Sequence, residues 1–154
     1  MHTPPSLPPL NQVLAYQNPL VIKRFKRNYP HYHSSVELLF KDMLSYLWLC
    51  RKFEADKTDP NLTSKMQFTL VMHKEMQMID EMWHTFILIT KDYAEFCQTH
   101  FGSFIHHVPE VGEEATDQDI VLDEFEQELE NFLAYVYANL GEATVRRWFS
   151  VYLD

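Results

Sequence analysis

The sequence predicts an all-α fold, a compact single-domain bundle of about five to six helices, and three observations carry that expectation. Only three glycines stand against eleven phenylalanines, eight tyrosines and three tryptophans, too little turn chemistry for a many-stranded sheet. With 154 residues, 46% of them apolar and 14% aromatic, the chain has ample material for one core at the commonest domain size. Proline-marked turns separate stretches whose apolar residues recur at helical spacing.

The elements follow in order. Residues 1–17 are expected to be a Pro-rich, flexible lead-in, and its first part, Met1 to Pro9 with four prolines, reads as disordered or extended. Residues 18–154 form one helical domain. Its first helix runs from Asn18-Pro19, as cap and first helical position, to about Asn28, and Tyr29-Pro30 ends it. Ser34-x-x-Glu37 is a capping box for the next helix, whose apolar residues from Val36 to Leu49 occupy almost every side, so that helix is central and buried. Lys57-Thr58-Asp59-Pro60-Asn61 is the clearest internal loop. A helix is then expected from Ser64 to about Ile89, and Thr90-Lys91-Asp92 caps another that stops at Gly102. Ser103 to Pro109 is a connector carrying a histidine doublet, with an acidic loop at 109–119. Leu122, Phe125, Leu129, Phe132, Leu133, Val136 and Leu140 mark a helix closed by Gly141, and Glu142 to Tyr152 makes a last short one.

Charge and cysteine usage narrow the function classes. Eleven acidic residues and no Lys or Arg lie between Glu110 and Glu142, half of the 22 acidic residues in a chain of net charge −9. That half repels nucleic acid. Lys23, Arg24, Lys26 and Arg27 surround Phe25 and read as the solvated face of a helix. No apolar run approaches the roughly 20 residues that span a bilayer, and Met1 to Leu10 lacks the charged start and apolar middle of a signal peptide. The expected location is therefore cytoplasmic. Cys50 and Cys97 are too few for a disulfide framework and lack zinc-knuckle spacing, so both read as reduced core residues.

One stretch carries chemistry. His73, Glu75, Asp80, Glu81 and His84 are all metal-ligand types. Along an unbroken helix His73 is displaced from Asp80 by about 10 Å and from His84 by about 16 Å, so it shares an ion with either only if the helix breaks. Asp80 and His84 are four apart and share one face. On a wheel, Met76, Ile79, Met82, Trp83, Phe86 and Ile87 centre near Ile79 and Trp83, placing Asp80 and His84 on the shoulder of the apolar face and Glu81 roughly 180° away. Glu81-x-x-His84 is half the ligand set of a ferritin-like carboxylate bundle, but the chain has no second copy. Nor is this a zinc-protease helix, since no histidine lies four residues before His84.

Two protein ligands rarely hold a metal, and His106-His107 is the densest further supply. Adjacent residues of an extended connector face opposite ways, so one of the two faces the site. Cys97 and His100 are secondary candidates on the face that bears Tyr93 and Phe96; packing is the plainer reading of both. Asp80 and His84 also have a plainer reading, an i,i+4 charge-assisted pair worth a few tenths of a kcal/mol beside a polar loop. A metal-free acid/base dyad is a third possibility, with no nucleophile or phosphate loop to accompany it.

These residues resemble a known family. Ile79 to Leu88 with its Asp80-x-x-Trp83-His84, then Thr90-Lys91-Asp92-Tyr93, Phe96-Cys97, Phe101-Gly102 and His106-His107-x-Pro109, resembles the helical module of glycine-rich domain-containing proteins. The likeness is strong over Ile79 to Pro109 and looser over Tyr135-Val136-Tyr137 and Leu140-Gly141. It implies Asp80, Trp83, His84, Cys97, Gly102, His106, His107 and Pro109 as motif positions and carries no activity. Many members have Trp-His-x-His where this chain has Phe86, which removes one ligand type, and the glycine-rich region is absent, leaving the helical module alone.

The expectation is thus one divalent transition ion, zinc before others, held by Asp80, His84 and one of His106 or His107, with Trp83 and Tyr93 packing the site. The competing expectation is a non-catalytic protein-protein interaction module, in which the acidic surface or the Lys23 to Arg27 cluster meets a protein partner and the histidines only join helices.

Overall fold

A computed structural model describes residues 6–108 and 122–150. Those residues form seven α-helices and no strand: α1 (Leu10–Leu14), α2 (Pro19–Asn28), α3 (Val36–Thr58), α4 (Gln77–Leu88), α5 (Thr90–Phe101), α6 (Leu122–Leu140) and α7 (Glu142–Ser150). The all-α expectation holds, with α1 as one helix more than was read. The expected acidic loop at 109–119 and the end of the last helix at Tyr152 lie outside the described residues.

The centre of the fold is α3. Leu39, Met43, Leu44, Leu47 and Leu49 have no exposed surface, so the helix is covered on nearly every side, as its apolar residues require. It touches α1, α2, α4 and α6. The α3 cap is Ser35 rather than the expected Ser34: its Oγ accepts from the Leu38 N–H at 3.1 Å. Glu37 then sits in the first turn and meets Lys26 Nζ at 3.3 Å. In α2 the expected cap is present, with Asn18 Oδ1 accepting from the Val21 N–H at 3.2 Å ahead of Pro19. Phe25 is buried there, while Lys23, Arg24, Lys26 and Arg27 face solvent.

The expected lead-in of 1–17 contains a helix: α1 lies inside it, Val13 is fully buried, Leu7, Leu10, Leu14 and Tyr16 pack on the core, and Pro8 O accepts from Trp48 Nε1 at 2.8 Å. A helix of five residues has little stability alone, and contact with α3 supplies what local sequence does not.

The helix expected from Ser64 to Ile89 is broken. A 3₁₀ turn at Thr63–Lys65 is followed by irregular backbone, a second 3₁₀ turn at Lys74–Met76, and only then α4. The reason is tertiary. Phe68 is buried against Phe53 and Tyr135, with ring centroids 5.0 and 5.7 Å away, which draws the chain across α3 and α6. Phe68, Thr69 and Val71 are poor helix formers that resist this little.

Glycine closes two helices. Gly102 follows α5 at φ 72° and Gly141 follows α6 at φ 92°, the left-handed region that other residues adopt at a cost. No side chain caps α5; Asp92, expected there, instead accepts from Asn18 Nδ2 at 3.0 Å. Finally, α7 is tied to α3 by Arg147, whose Nε and Nη2 both donate to the buried Asp42 carboxylate at 2.9 Å.

Candidate metal centre

The first turns of α4 place Asp80 and His84 on one side of the helix, as an i,i+4 pair must be. His84 Nε2 stands 3.7 Å from Asp80 Oδ2. His107 arrives from the connector, its Nε2 2.6 Å from Asp80 Oδ1. Because an ionised carboxylate only accepts, the ring nitrogen donates in that short, charge-assisted hydrogen bond. The two imidazoles lie 4.4 Å apart between centroids, and His107 also rests on Trp83 at 4.3 Å. One donor atom from each of Asp80, His84 and His107 lies within 4.8 Å of the others, a spacing from which all three can hold a single ion.

Position within the connector is set by two side chains, Tyr93 and Arg51. Trp83 Nε1 donates to Tyr93 Oη at 3.0 Å, and Tyr93 Oη donates to Ile105 O at 2.6 Å. Arg51 Nη2 donates to Ser103 O, Ser103 Oγ and Phe104 O at 3.2, 2.7 and 3.1 Å. With Ile105 buried and fixed from both sides, the chain turns His107 inward and His106 outward. His106 is exposed, and its ring lies 4.8 Å from the Phe104 ring. Burial pushes the Tyr93 hydroxyl far above its usual range, so it stays protonated and able to donate.

Glu81 is also near, against its position on the wheel. Its Oε2 lies 3.7 Å from His84 Nδ1 and accepts a hydrogen bond from Tyr29 Oη. The wheel recognised one packed face, whereas α2 also packs on α4 and brings Tyr29 to the other side. His84 is therefore flanked by Asp80 at one ring nitrogen and Glu81 at the other. Desolvation, followed by the hydrogen bond to Glu81 and the Glu81 and Asp80 charges, pushes the Tyr29 hydroxyl up to about 12.

The remaining candidates fall elsewhere. Although the break before α4 frees His73, its ring packs 4.5 Å from Phe132, and burial holds it below the usual histidine range. Cys97 is fully buried beside Tyr93 and Ile105, and burial raises its thiol. His100 packs on Phe96 and Tyr16 at 4.7 and 6.0 Å, and neither it nor Cys97 joins the Asp80 cluster. Phe86, which stands where a further histidine was a ligand type, is fully buried against Phe40, Tyr93 and Phe96. That position faces the core, so its identity does not bear on the cluster.

Asp80, His84 and His107 open into a groove of about 1340 Å³ bounded by the end of α3, residues 69–74 and the connector. No helix among the described residues is long and apolar enough to cross a membrane. A model of the family described as UCP032817-like matches residues 11–123, a span that contains all three clustered residues. No curated protein and no solved structure matches the chain.

Proposed function

The chain belongs to the UCP032817-like family, and from that premise we propose that it binds one divalent transition-metal ion, zinc before others, through Asp80, His84 and His107. A single observation carries the reading, the convergence of three donor atoms within 4.8 Å. Two imidazole nitrogens and a carboxylate oxygen form a borderline donor set of the kind zinc takes in sites with an open position. Donors around a tetrahedral zinc stand about 3.3 Å apart, so the 3.7 Å between His84 and Asp80 needs little adjustment. At His107 the ion would take the place of the Nε2 proton now shared with Asp80, the neutral ring carrying its proton on Nδ1 instead. Glu81, held by Tyr29, stands 3.7 Å from the outer nitrogen of His84, where carboxylates behind ligating histidines stand. The His84 side chain is 44% exposed, which leaves a fourth position for water. A zinc held there would supply Lewis acidity of the kind that supports hydrolysis.

The competing reading, a protein-protein interaction module with these residues structural, draws on the 2.6 Å Asp80–His107 bond, which is satisfied without an ion. Elemental analysis of protein purified without a histidine tag separates the two. Metal near one equivalent, lost in His84→Ala and His107→Ala but retained in His106→Ala, is the expected result. Content near zero that His84→Ala leaves unchanged, with only a loss of stability, selects the structural reading.

Beyond the family shown, the ordered motifs Asp80-x-x-Trp83-His84 and His106-His107-x-Pro109 support a relation to the helical module of glycine-rich domain-containing proteins. In this reading Trp83 and His107 are kept together because one packs on the other.

A further inference from the structure

Thr69 to Met72 line the groove without belonging to any helix or turn. Among the described residues, the backbone N–H and C=O groups of Gln67 to Met72 make no hydrogen bond to other backbone. His73, next in line, is extended at φ −71° and ψ 156°. Backbone of this kind on a concave wall presents its donors and acceptors to whatever enters, as the edge of a sheet does. Extended peptides bind such edges by main-chain pairing, with alternate side chains entering flanking pockets.

Charge indicates which peptide. The chain as a whole is at −9, yet the groove gathers Arg51, Lys57 and Lys74 against Glu54 and Asp80. Both of those carboxylates are engaged, Glu54 with Arg51 Nη1 at 2.9 Å and Asp80 with His107. Lys57 and Lys74 have no carboxylate partner among the described residues; Lys57 Nζ sits 5.1 Å above the Phe53 ring. An acidic ligand is repelled over much of this protein and attracted here.

We propose that the groove binds an extended peptide segment bearing acidic side chains, its main chain pairing with Thr69 to Met72 and its carboxylates meeting Lys57 and Lys74. The assignment does not depend on an ion being bound, although the Asp80 cluster lies in the same groove.

The test is amide NMR of the full-length, isotope-labelled protein titrated to millimolar concentration with synthetic octapeptides. An alternating Glu-Val peptide is expected to shift the amide signals of Leu70, Val71 and Met72 and to slow their hydrogen exchange. A Lys-Val peptide is expected to leave them in place, and a Glu-Pro peptide, which lacks N–H donors at alternate positions, to bind more weakly. Reversing two exposed charges, in Lys57→Glu/Lys74→Glu, weakens Glu-Val binding by about tenfold or more and favours Lys-Val; the spectrum of that variant reports its folding directly. Glu-Val binding is retained in EDTA, so failure of the metal reading leaves this result standing, and its loss there counts against the proposal. Absence of shifts at Leu70 to Met72, or equal shifts with both charges, overturns the proposal.

Discussion

Replacing Tyr93 by phenylalanine deletes one oxygen that serves two buried groups. Trp83 Nε1 donates to that oxygen at 3.0 Å, and it donates to Ile105 O at 2.6 Å. The Tyr93 ring is fully buried and Trp83 is 6% exposed, so water has little access to the groups left behind. Each orphaned buried donor or acceptor costs about 1–3 kcal/mol. The two together put the loss at about 2–4 kcal/mol, since relaxation recovers part of the total. For a domain of this size that corresponds to a fall of about 10 °C in Tm. The same deletion loosens the connector two residues before His107, leaving Arg51 as its hydrogen-bonded anchor at Ser103 and Phe104. Zinc affinity is therefore expected to drop about tenfold, as when other groups that orient a ligand are removed. Urea denaturation followed by far-UV circular dichroism gives the first quantity, and competition against a chromophoric chelator the second. A Tyr93→Phe stability change below about 0.5 kcal/mol, in the range of an ordinary surface substitution, refutes the claim that this hydroxyl holds the connector.

Three further outcomes follow from the same geometry. Glu81→Gln removes the charge that faces His84 Nδ1 and is expected to weaken zinc binding about tenfold or more without altering the metal stoichiometry, measured by the same competition. Burial holds His73 and His100 below the usual histidine range, so the unfolded chain takes up protons first as pH falls through about 6.5. Stability present at pH 8 then declines as pH falls through about 6.5, and urea midpoints vary less with pH in a His73→Gln/His100→Gln variant. At Gly141 a Cβ would meet nothing within 4 Å, yet φ is +92°, so Gly141→Ala costs about 1 kcal/mol by backbone strain alone, readable as a Tm shift of a few degrees.

Sequence and fold part company at particular residues. Asn18-Pro19 opening α2, Gly102 closing α5 and Gly141 closing α6 are legible because each acts within one turn of its own position. The Ser35 cap is displaced by a single residue for the same local reason, two serines being adjacent and only one set to accept from Leu38. The break before α4 is not legible, since nothing near Phe68 in the sequence announces Phe53 and Tyr135, the rings that bury it. Nor is Glu81 at the site, because Tyr29 belongs to another helix.

By itself the sequence determined the helical class, the limits of α2, and the pairing of Asp80 with His84, since helix geometry sets which neighbours four residues apart can meet. Only the tertiary structure decided that His107, and not His106, completes the cluster. Alternation along the connector allowed either histidine. The choice was made by Tyr93 and Arg51, which satisfy the connector's carbonyls from two other helices and so fix its rotation. A hydrogen bond between residues far apart in sequence leaves no periodic trace in it, whereas a buried carbonyl such as Ile105 O left without that bond would cost about 1–3 kcal/mol, a large share of a stability of roughly 5–15 kcal/mol.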